Sequence, residues 1–195
     1  EVARSALGAG ASIINDVSAL RVDPAMAQVA VRHDVPIILM HMLGTPKTMQ
    51  VEPDYDDVVA SVSLFLRQAV AKAVNAGIDR RRIIVDPGIG FGKTFAHNLQ
   101  LLRNLKSFQD LNCPVLVGSS RKAFIRHLLK PPGEKDIRAD LPIVATGTQA
   151  TVAVAALHGA HIVRVHEVVD TRATLKIIDA IRKADTASPA NNQGD

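Results

Sequence analysis

Polar side chains stand at the ends of five short apolar segments that are rich in β-branched residues. The segments cover residues 12–17, 36–42, 82–86, 114–118 and 161–166. The polar residues at their ends are Asn15, Asp16, His41, Asp86, residues 119–122, Arg164 and His166. In parallel α/β folds the carboxyl ends of the strands carry the binding and catalytic residues. Because packing does not explain polar residues at all five ends, the pattern predicts one shared site.

Arg164 and His166 are candidates for binding an anion. They lie two residues apart in a predicted strand, so their side chains are expected to point to the same face. Arginine binds phosphate in bidentate fashion, and residues 120–122 add cationic groups and the amides of a predicted helix N-terminus. The pattern favours a phosphate site, and a salt-bridge network with Asp16 or Glu167 is the alternative.

A glycine-rich loop follows the third predicted strand. Residues 86–94 place the carboxylate of Asp86 before three alternating glycines. The loop is not a P-loop, because Pro87 stands where that motif requires glycine, and Lys93 or Phe95 stands where a dinucleotide fingerprint needs its third glycine. Such glycines let the backbone approach a flat ligand closely. An ordinary turn in which Asp86 caps the next helix is an equally good interpretation.

His41 lies between Met40 and Met42 in an apolar segment. A hydrogen-bonded core histidine is therefore at least as good an interpretation as a catalytic one. The other histidines lie on predicted helices or at strand starts, and we interpret them as structural. The sequence contains neither an HExxH nor an EF-hand pattern, so a metal ion would bind partly through a substrate phosphate.

The elements that must position these residues alternate between strand and helix. Helices are predicted over residues 25–32, 55–75, 97–107, 143–157 and 171–183, with N-caps at Asp23 and Asp170. The alternation predicts an α/β protein with right-handed crossovers. An open doubly wound sheet and a (β/α)8 barrel both fit, although a barrel needs eight strands. Residues 1–184 are predicted to form one domain, and residues 185–195 a disordered tail.

Composition excludes several classes of protein. The chain has 195 residues, of which 47% are hydrophobic, and this fraction is too high for a disordered protein. No apolar stretch approaches the roughly 20 residues of a membrane span. Scattered basic residues and few aromatic ones argue against nucleic acid as a partner. Cys113 is the single cysteine and no signal peptide is evident, so we expect a cytoplasmic location.

Five segments together resemble dihydropteroate synthase, a pterin-binding family. They cover residues 13–16, 40–50, 86–93, 117–122 and 159–166, and they occur in the order of that family. The Met-His-Met…Thr-Met-Gln segment and the Ser-Arg-Lys turn distinguish it from other pterin-binding barrels. The resemblance extends from the start of the chain to about Lys183.

The resemblance implies a (β/α)8 TIM barrel of which about five βα units are present, without the N-terminal strands. It implies the condensation of 6-hydroxymethyl-7,8-dihydropterin pyrophosphate with p-aminobenzoate, which releases pyrophosphate in folate biosynthesis. Mg2+ is the expected cofactor, but the family's Mg2+-binding Asn has no counterpart here, so no metal ligand is assigned. The family is a sulfonamide target, and we expect a homodimer with neither nucleic acid nor membrane as a partner.

The same resemblance assigns the pterin to four residues. Asn15 and Asp86 would hold the pterin, Met40 would line its slot, and Lys122 would bond to the ring edge. A pterin presents a ring N–H beside an exocyclic amine, and a carboxylate can accept both in bidentate fashion.

The remaining assignments concern the other substrate groups. Arg164 and His166 would hold the pyrophosphate with Ser120 nearby, and Phe91 and Lys122 would flank p-aminobenzoate. The implied catalytic residues are Asp86, Lys122, Arg164 and His166. The implied substrate-binding residues are Asn15, Met40, Asp86, Phe91, Gly118, Ser120, Lys122, Arg164 and His166.

Two alternatives stay open at this point. A methyltetrahydrofolate methyltransferase would share the pterin-binding barrel, but Lys122 and the loop at residues 48–50 argue against it. A fragment that binds pterin without catalysing a reaction is the other alternative. Ala123 occupies a position that is often Ser in dihydropteroate synthases, which removes one hydroxyl beside p-aminobenzoate.

Overall fold

Strands and helices alternate along most of the chain in a computed structural model that describes residues 1–184, but two helices stand between the fourth and fifth strands. The tail predicted at residues 185–195 lies outside the described residues. The strands are β1 (Ile14–Asp16), β2 (Ile37–Met40), β3 (Ile83–Asp86), β4 (Leu116–Val117) and β5 (Ile162–Val163). The helices are α1 (Val2–Gly8), α2 (Ala25–His33), α3 (Val58–Asn75), α4 (Phe95–Arg103), α5 (Ala123–Leu129), α6 (Pro142–Leu157) and α7 (Val168–Ala184). Short 3-10 helices cover Arg80–Arg82 and Leu105–Leu111.

The strands pair in parallel and in chain order. β1, β2 and β3 form one sheet, in which Asn15 pairs with Ile38 and Met40 pairs with Asp86. β4 and β5 form a second parallel pair, and a single bridge from Val85 to Val115 joins it to β3. The described strands therefore lack the reversal of order at which a doubly wound sheet binds its ligand.

The two faces of the sheet differ in what covers them. One face packs against the helices and contributes Ile14, Ile37, Leu39, Ile83, Val85, Val115 and Val117 to the main hydrophobic core. The opposite face, called the inner face here, carries a separate small cluster of Ile38, Ile84 and Leu116. Because side chains alternate along a strand and paired residues share a face, Asn15, Met40 and Asp86 lie on the inner face too.

Helix α3 is long and apolar enough to cross a membrane by length and composition alone. Its buried residues recur at helical spacing and pack into the main core: Val58, Val62, Leu66, Ala69, Val70 and Ala73. Arg67 and Lys72 are exposed on its other side. This is the pattern of an amphipathic helix that covers a sheet. It begins at Val58 rather than at residue 55 because the Asp57 side chain accepts hydrogen bonds from the first-turn amides.

Several predicted boundaries are wrong. β5 ends at Val163, so Arg164 and His166 lie just beyond the strand, although the Arg164 amide still donates to the Val117 carbonyl at 3.0 Å. α7 begins at Val168, which places Asp170 within its first turn instead of at the N-cap. The helix predicted over residues 97–107 divides at Asn104 into α4 and a 3-10 helix.

The start of α2 also differs from the prediction. Pro24, rather than Asp23, is the N-cap residue, and Asp23 accepts a hydrogen bond from the Ala25 amide at 3.0 Å. The sequence pattern therefore located the turn correctly and misplaced the cap by one residue.

Candidate active site

Three of the predicted site residues stand side by side at the carboxyl ends of β1, β2 and β3. Met40 and Asp86 are direct register partners and are almost fully buried, with 3% and 7% of their surfaces exposed. Asn15 lies on the same face two strands away from Asp86 and is exposed. The structure therefore places three of the four residues that the resemblance assigned to the pterin on one face of the sheet.

Asp86 is a buried carboxyl group with no ion pair among residues 1–184. Its Oδ1 accepts a hydrogen bond from the Gly88 amide at 2.7 Å. Burial raises the pKa of Asp86 from 3.8 to about 6, and the Gly88 amide and the charges of Lys93, Arg164 and Lys122 act in the opposite direction. A buried carboxylate is unfavourable unless it is paired, so this position suits a ligand that donates hydrogen bonds.

The loop after Asp86 packs directly on the end of β2. Gly88 has a φ of +69°, and a Cβ atom there would lie only 1.9 Å from the His41 carbonyl oxygen. Only glycine fits so close an approach of two backbones. The alternative in which Asp86 caps the next helix is wrong, because Thr94 caps α4 and forms a reciprocal capping box with His97.

Three side chains, two from the connection between β2 and α3 and one from α4, hold this loop in place. The Gln50 amide donates to the Gly90 carbonyl at 2.7 Å, and the Tyr55 hydroxyl donates to the Gly92 carbonyl at 2.8 Å. The Gly90 amide in turn donates to Asn98 Oδ1 at 2.6 Å. The glycine loop is therefore a fixed part of the site.

Lys122 and Phe91, the two residues assigned to p-aminobenzoate, contact each other. The Lys122 ammonium lies 4.3 Å from the centre of the Phe91 ring. Burial and the neighbouring Arg164 lower the pKa of Lys122, while Asp86 acts in the opposite direction. The Lys122 side chain therefore connects the Asp86 end of the site with the Arg164 end.

A cavity of about 470 Å³ opens beside Lys122. It is lined by Gly118, Ser120, Arg121, Lys122, Ala139, Arg164, Val165 and His166. Ser120 Oγ lies 2.8 Å from His166 Nδ1 and also accepts a hydrogen bond from the His166 backbone amide. Arg121 pairs with Glu167, but Lys122 and Arg164 have no carboxylate partner among the residues that line this cavity, so it suits a phosphate group.

The alternative salt-bridge network does not form around Arg164 and His166. Asp16 accepts hydrogen bonds from Ser18 and Leu20, which fixes its own loop. Glu167 pairs with Arg121, whose Nε donates to Glu167 Oε1 at 2.8 Å. Within residues 1–184, Arg164 and His166 have no carboxylate within ion-pair distance, and both side chains are exposed at the cavity.

The sequence did not assign Lys93 to the site, yet it lies beneath the loop. Lys93 is only 3% exposed, and its Nζ lies 2.9 Å from His41 Nδ1 and 2.9 Å from the Phe91 carbonyl oxygen. Burial lowers the pKa of Lys93 to about 7 and that of His41 to about 3, the latter with a contribution from the charge of Lys93. His41 is thus a hydrogen-bonded core histidine. The Gly-Lys pair at the end of the loop was the sequence signal that could have identified Lys93 as part of the site.

No group of three or more His, Cys, Asp or Glu side chains that could hold a metal ion occurs in the part of the chain that the structure describes. The described side chains around the cavity include no carboxylate, which is the side-chain ligand that commonly binds Mg2+.

Comparison with curated proteins finds dihydropteroate synthases of similar sequence. The dihydropteroate synthase of Escherichia coli K12 is 40% identical over 185 residues, which cover 94% of this chain and 62% of that protein. The Synechocystis dihydropteroate synthase is 43% identical over 181 residues, which cover 93% of this chain and 60% of that protein. The chain therefore spans about 60% of the length of these curated relatives.

Solved structures of dihydropteroate synthases align closely with this chain. A Yersinia pestis dihydropteroate synthase in complex with a sulfonamide drug matches with a TM-score of 0.84 and 37% identity, covering 94% of this chain and 64% of that chain. A Xanthomonas albilineans dihydropteroate synthase in complex with 7,8-dihydropteroate matches with a TM-score of 0.80 and 40% identity, covering 93% and 63%. The sequence profile described as "Pterin binding enzyme" matches residues 1–166. Because that match covers most of the chain, the protein belongs to the family of pterin binding enzymes.

Proposed function

We propose that this chain provides the pterin and pyrophosphate sites of a dihydropteroate synthase. Its relatives of about 40% identity carry that name, and the Xanthomonas albilineans relative was solved with 7,8-dihydropteroate and with 4-aminobenzoic acid. The substrates are 6-hydroxymethyl-7,8-dihydropterin pyrophosphate and p-aminobenzoate, and the products are dihydropteroate and pyrophosphate.

The observation that carries the proposal is the unpaired, buried carboxylate of Asp86 close to a cationic cavity. Asp86 has no ion pair within residues 1–184, and the charges that act on it include Lys122 and Arg164. A pterin ring edge supplies two N–H groups for a carboxylate, and a pyrophosphate supplies negative charge for the cavity. One ligand therefore satisfies both halves of the site.

Within this proposal each residue has a defined role. Asp86 accepts hydrogen bonds from the pterin, the Asn15 amide forms hydrogen bonds with it, and Met40 packs against its ring. Lys122 and Phe91 hold the p-aminobenzoate beside it. Gly118 lies beside the guanidinium of Arg164, since a Cβ atom at residue 118 would be in ordinary contact with Arg164 Nε at 3.7 Å.

The reaction needs charge stabilisation rather than a protein nucleophile. The C–O bond between the pterin methylene and pyrophosphate breaks, and its electron pair leaves with pyrophosphate. Arg164 and His166 with Ser120 stabilise the negative charge that develops on this leaving group. The carboxylate of Asp86 stabilises the positive charge left on the pterin. The amine of p-aminobenzoate then forms the C–N bond and releases a proton to solvent.

Mg2+ is the cofactor that the resemblance implies. The described residues do not fit an ion held by this chain alone, because they bring no three metal-ligating side chains together. Pyrophosphate oxygens are the hard oxygen ligands that Mg2+ prefers. The roles given above therefore rest on the chain's own cationic groups.

We further propose that the fold is a (β/α)8 barrel of which these five βα units form part. The parallel strands follow chain order, and the inner face carries its own apolar cluster of Ile38, Ile84 and Leu116. Layers of branched aliphatic side chains fill the interior of such barrels. The polar residues at the carboxyl ends then surround the mouth of the barrel.

Formation of dihydropteroate tests the proposed activity. The chain is assayed with both substrates, alone and joined to the segment of the Escherichia coli relative that it does not cover. We expect the joined protein to form dihydropteroate and pyrophosphate in equal amounts. If it binds pterin pyrophosphate and forms no dihydropteroate, the synthase proposal is wrong and a non-catalytic pterin-binding protein is supported.

A further inference from the structure

A buried lysine, Lys93, ends the glycine loop that follows Asp86. The Lys93 ammonium contacts His41 Nδ1 and the Phe91 carbonyl oxygen, each at 2.9 Å. His41 is itself buried, and its ring packs edge-on against Phe65 at 4.8 Å. Lys93 is therefore anchored to the end of β2 on one side and to the loop on the other.

The Lys93 ammonium lies close to Asp86, because its partner His41 donates its backbone amide to the Asp86 carbonyl at 2.9 Å. No carboxylate forms an ion pair with Lys93 within residues 1–184, and the acidic group that acts on it is Asp86. The charged groups that face Asp86 are Lys93 from the loop, Lys122 from the segment after β4, and Arg164 from the end of β5. His41, which is also influenced by Arg21, stays neutral because burial and both cations lower its pKa.

Packing does not explain this arrangement. Burial lowers the pKa of Lys93 and raises that of Asp86, so both charged forms are unfavourable in the folded protein. An apolar side chain of similar size at residue 93 would avoid the first of these penalties. The ammonium does, however, stabilise the ionised form of Asp86 and holds the backbone that carries Phe91.

We propose that Lys93, held by a hydrogen bond to His41, is a positioning residue whose charge acts on Asp86 and whose ammonium fixes the Phe91 backbone. This inference deepens the proposed function, because it rests on Asp86 and Phe91 as substrate-binding residues. Lys93 itself contacts no substrate; it acts through the two residues that do.

The direct test is a pH titration of Asp86 in the ligand-free chain, in which the NMR signal of its carboxyl carbon is monitored. In the wild-type chain the midpoint is expected at about pH 6. Lys93→Met keeps the length of the side chain and removes its charge, so we expect the midpoint to rise by about 1 pH unit. Lys106→Met removes an exposed lysine and is the matched control. An unchanged midpoint in Lys93→Met overturns the proposal.

A second pair of variants decides the matter if Lys93→Met does not fold. His41→Leu removes the acceptor of Lys93, so the ammonium loses a stabilising hydrogen bond and the Asp86 midpoint rises. His41→Asn keeps an acceptor oxygen in that position and restores the midpoint toward the wild-type value. Equal midpoints in the two variants contradict a role for the Lys93–His41 contact.

The same samples separate this inference from the proposed function. Binding of 6-hydroxymethylpterin to the wild-type chain tests the function, whereas the Asp86 midpoint needs no ligand. If pterin does not bind and the midpoint still rises in Lys93→Met, the function fails and the electrostatic role of Lys93 holds. If pterin binds and the Asp86 midpoint does not move in Lys93→Met, the proposed function holds and the electrostatic role of Lys93 is wrong. A merely structural role for Lys93 would lower the unfolding free energy and leave the midpoint in place.

Discussion

The Lys122 ammonium lies 4.3 Å from the centre of the Phe91 ring, and it is the contact that joins the glycine loop after β3 to the turn after β4. Phe91 and Lys122 are 31 residues apart in the chain, so the contact depends on the fold that brings the two segments together. Gly90 makes it possible, because a Cβ atom there would lie 3.1 Å from Lys122 Cδ. The aromatic ring and the ammonium then form one surface for a flat, anionic ligand.

Phe91→Leu should weaken the binding of p-aminobenzoate. The substitution removes the ring that would flank the aromatic ring of p-aminobenzoate, and aromatic pairs contribute about 0.5–1.5 kcal/mol, so affinity should fall by roughly 2- to 12-fold. Equilibrium binding of p-aminobenzoate in the presence of pyrophosphate measures the loss. Phe95→Leu, four residues later on half-exposed α4, is the matched control. Equal losses in both variants would argue against the role of Phe91.

Arg164→Ala should weaken pyrophosphate binding far more than pterin binding. Arg164 lines the cationic cavity, and hydrogen bonds to charged groups contribute about 1.5–3 kcal/mol, so pyrophosphate affinity should fall by about 10- to 100-fold. Separate calorimetric titrations with pyrophosphate and 6-hydroxymethylpterin distinguish the two effects. Arg103→Ala, at the exposed end of α4, controls for the loss of one positive charge. A similar loss for both ligands would refute the assigned role.

Gly88→Ala should destabilise the fold more than Gly10→Ala does. Both glycines have positive φ, at +69° and +102°, but a Cβ atom at Gly88 would meet the His41 carbonyl and one at Gly10 would meet nothing within 4 Å. We expect a loss of about 1 kcal/mol for Gly10→Ala. For Gly88→Ala the clash adds about 1–3 kcal/mol. Urea unfolding measures both, and equal losses would contradict the close packing of the loop on β2.

Asp86→Asn should increase stability near neutral pH. The folded pKa of about 6 lies above the ordinary value of 3.8, so the folded state binds more protons than the unfolded state between these values. Stability contributed by this group is therefore present at acid pH and declines as the pH rises from about 4 to 6. Asparagine has no charge to bury, so the advantage of the variant should grow by about 2–3 kcal/mol from pH 4 to pH 7.

Urea unfolding of both proteins at the two pH values measures this difference. Asp54→Asn, in an exposed loop, controls for the loss of one negative charge. A difference between Asp86→Asn and the wild-type chain that does not change with pH would contradict the raised pKa of Asp86.

The sequence located the strands and their polar ends because those signals are local. Apolar β-branched runs and the residues that follow them depend on neighbouring positions, and Asn15, Met40 and Asp86 fell where the pattern predicts. The end of β5 did not, because the length of a strand depends on its pairing partner, and only Leu116–Val117 pairs with it.

The sequence did not assign Lys93 to the site for a related reason. Its partners are His41, 52 residues earlier in the chain, and a backbone carbonyl that carries no sequence signal. The pairing of Arg121 with Glu167 is another contact over a long sequence separation, and it makes Arg121 a structural residue within a turn that the sequence interpreted as a phosphate site. Spacing alone indicates which residues share a face and leaves open which charges pair.

Binding of 6-hydroxymethyl-7,8-dihydropterin pyrophosphate at pH 8 tests the central claim most directly, because Asp86 is ionised well above its pKa of about 6. Calorimetric titration compares the wild-type chain with Asp86→Ala, which removes both acceptor oxygens. We predict that the wild-type chain binds the ligand and that Asp86→Ala binds it at least about 100-fold more weakly, as expected for two lost charge-assisted hydrogen bonds. Equal affinities, or no binding by the wild-type chain, would contradict the account.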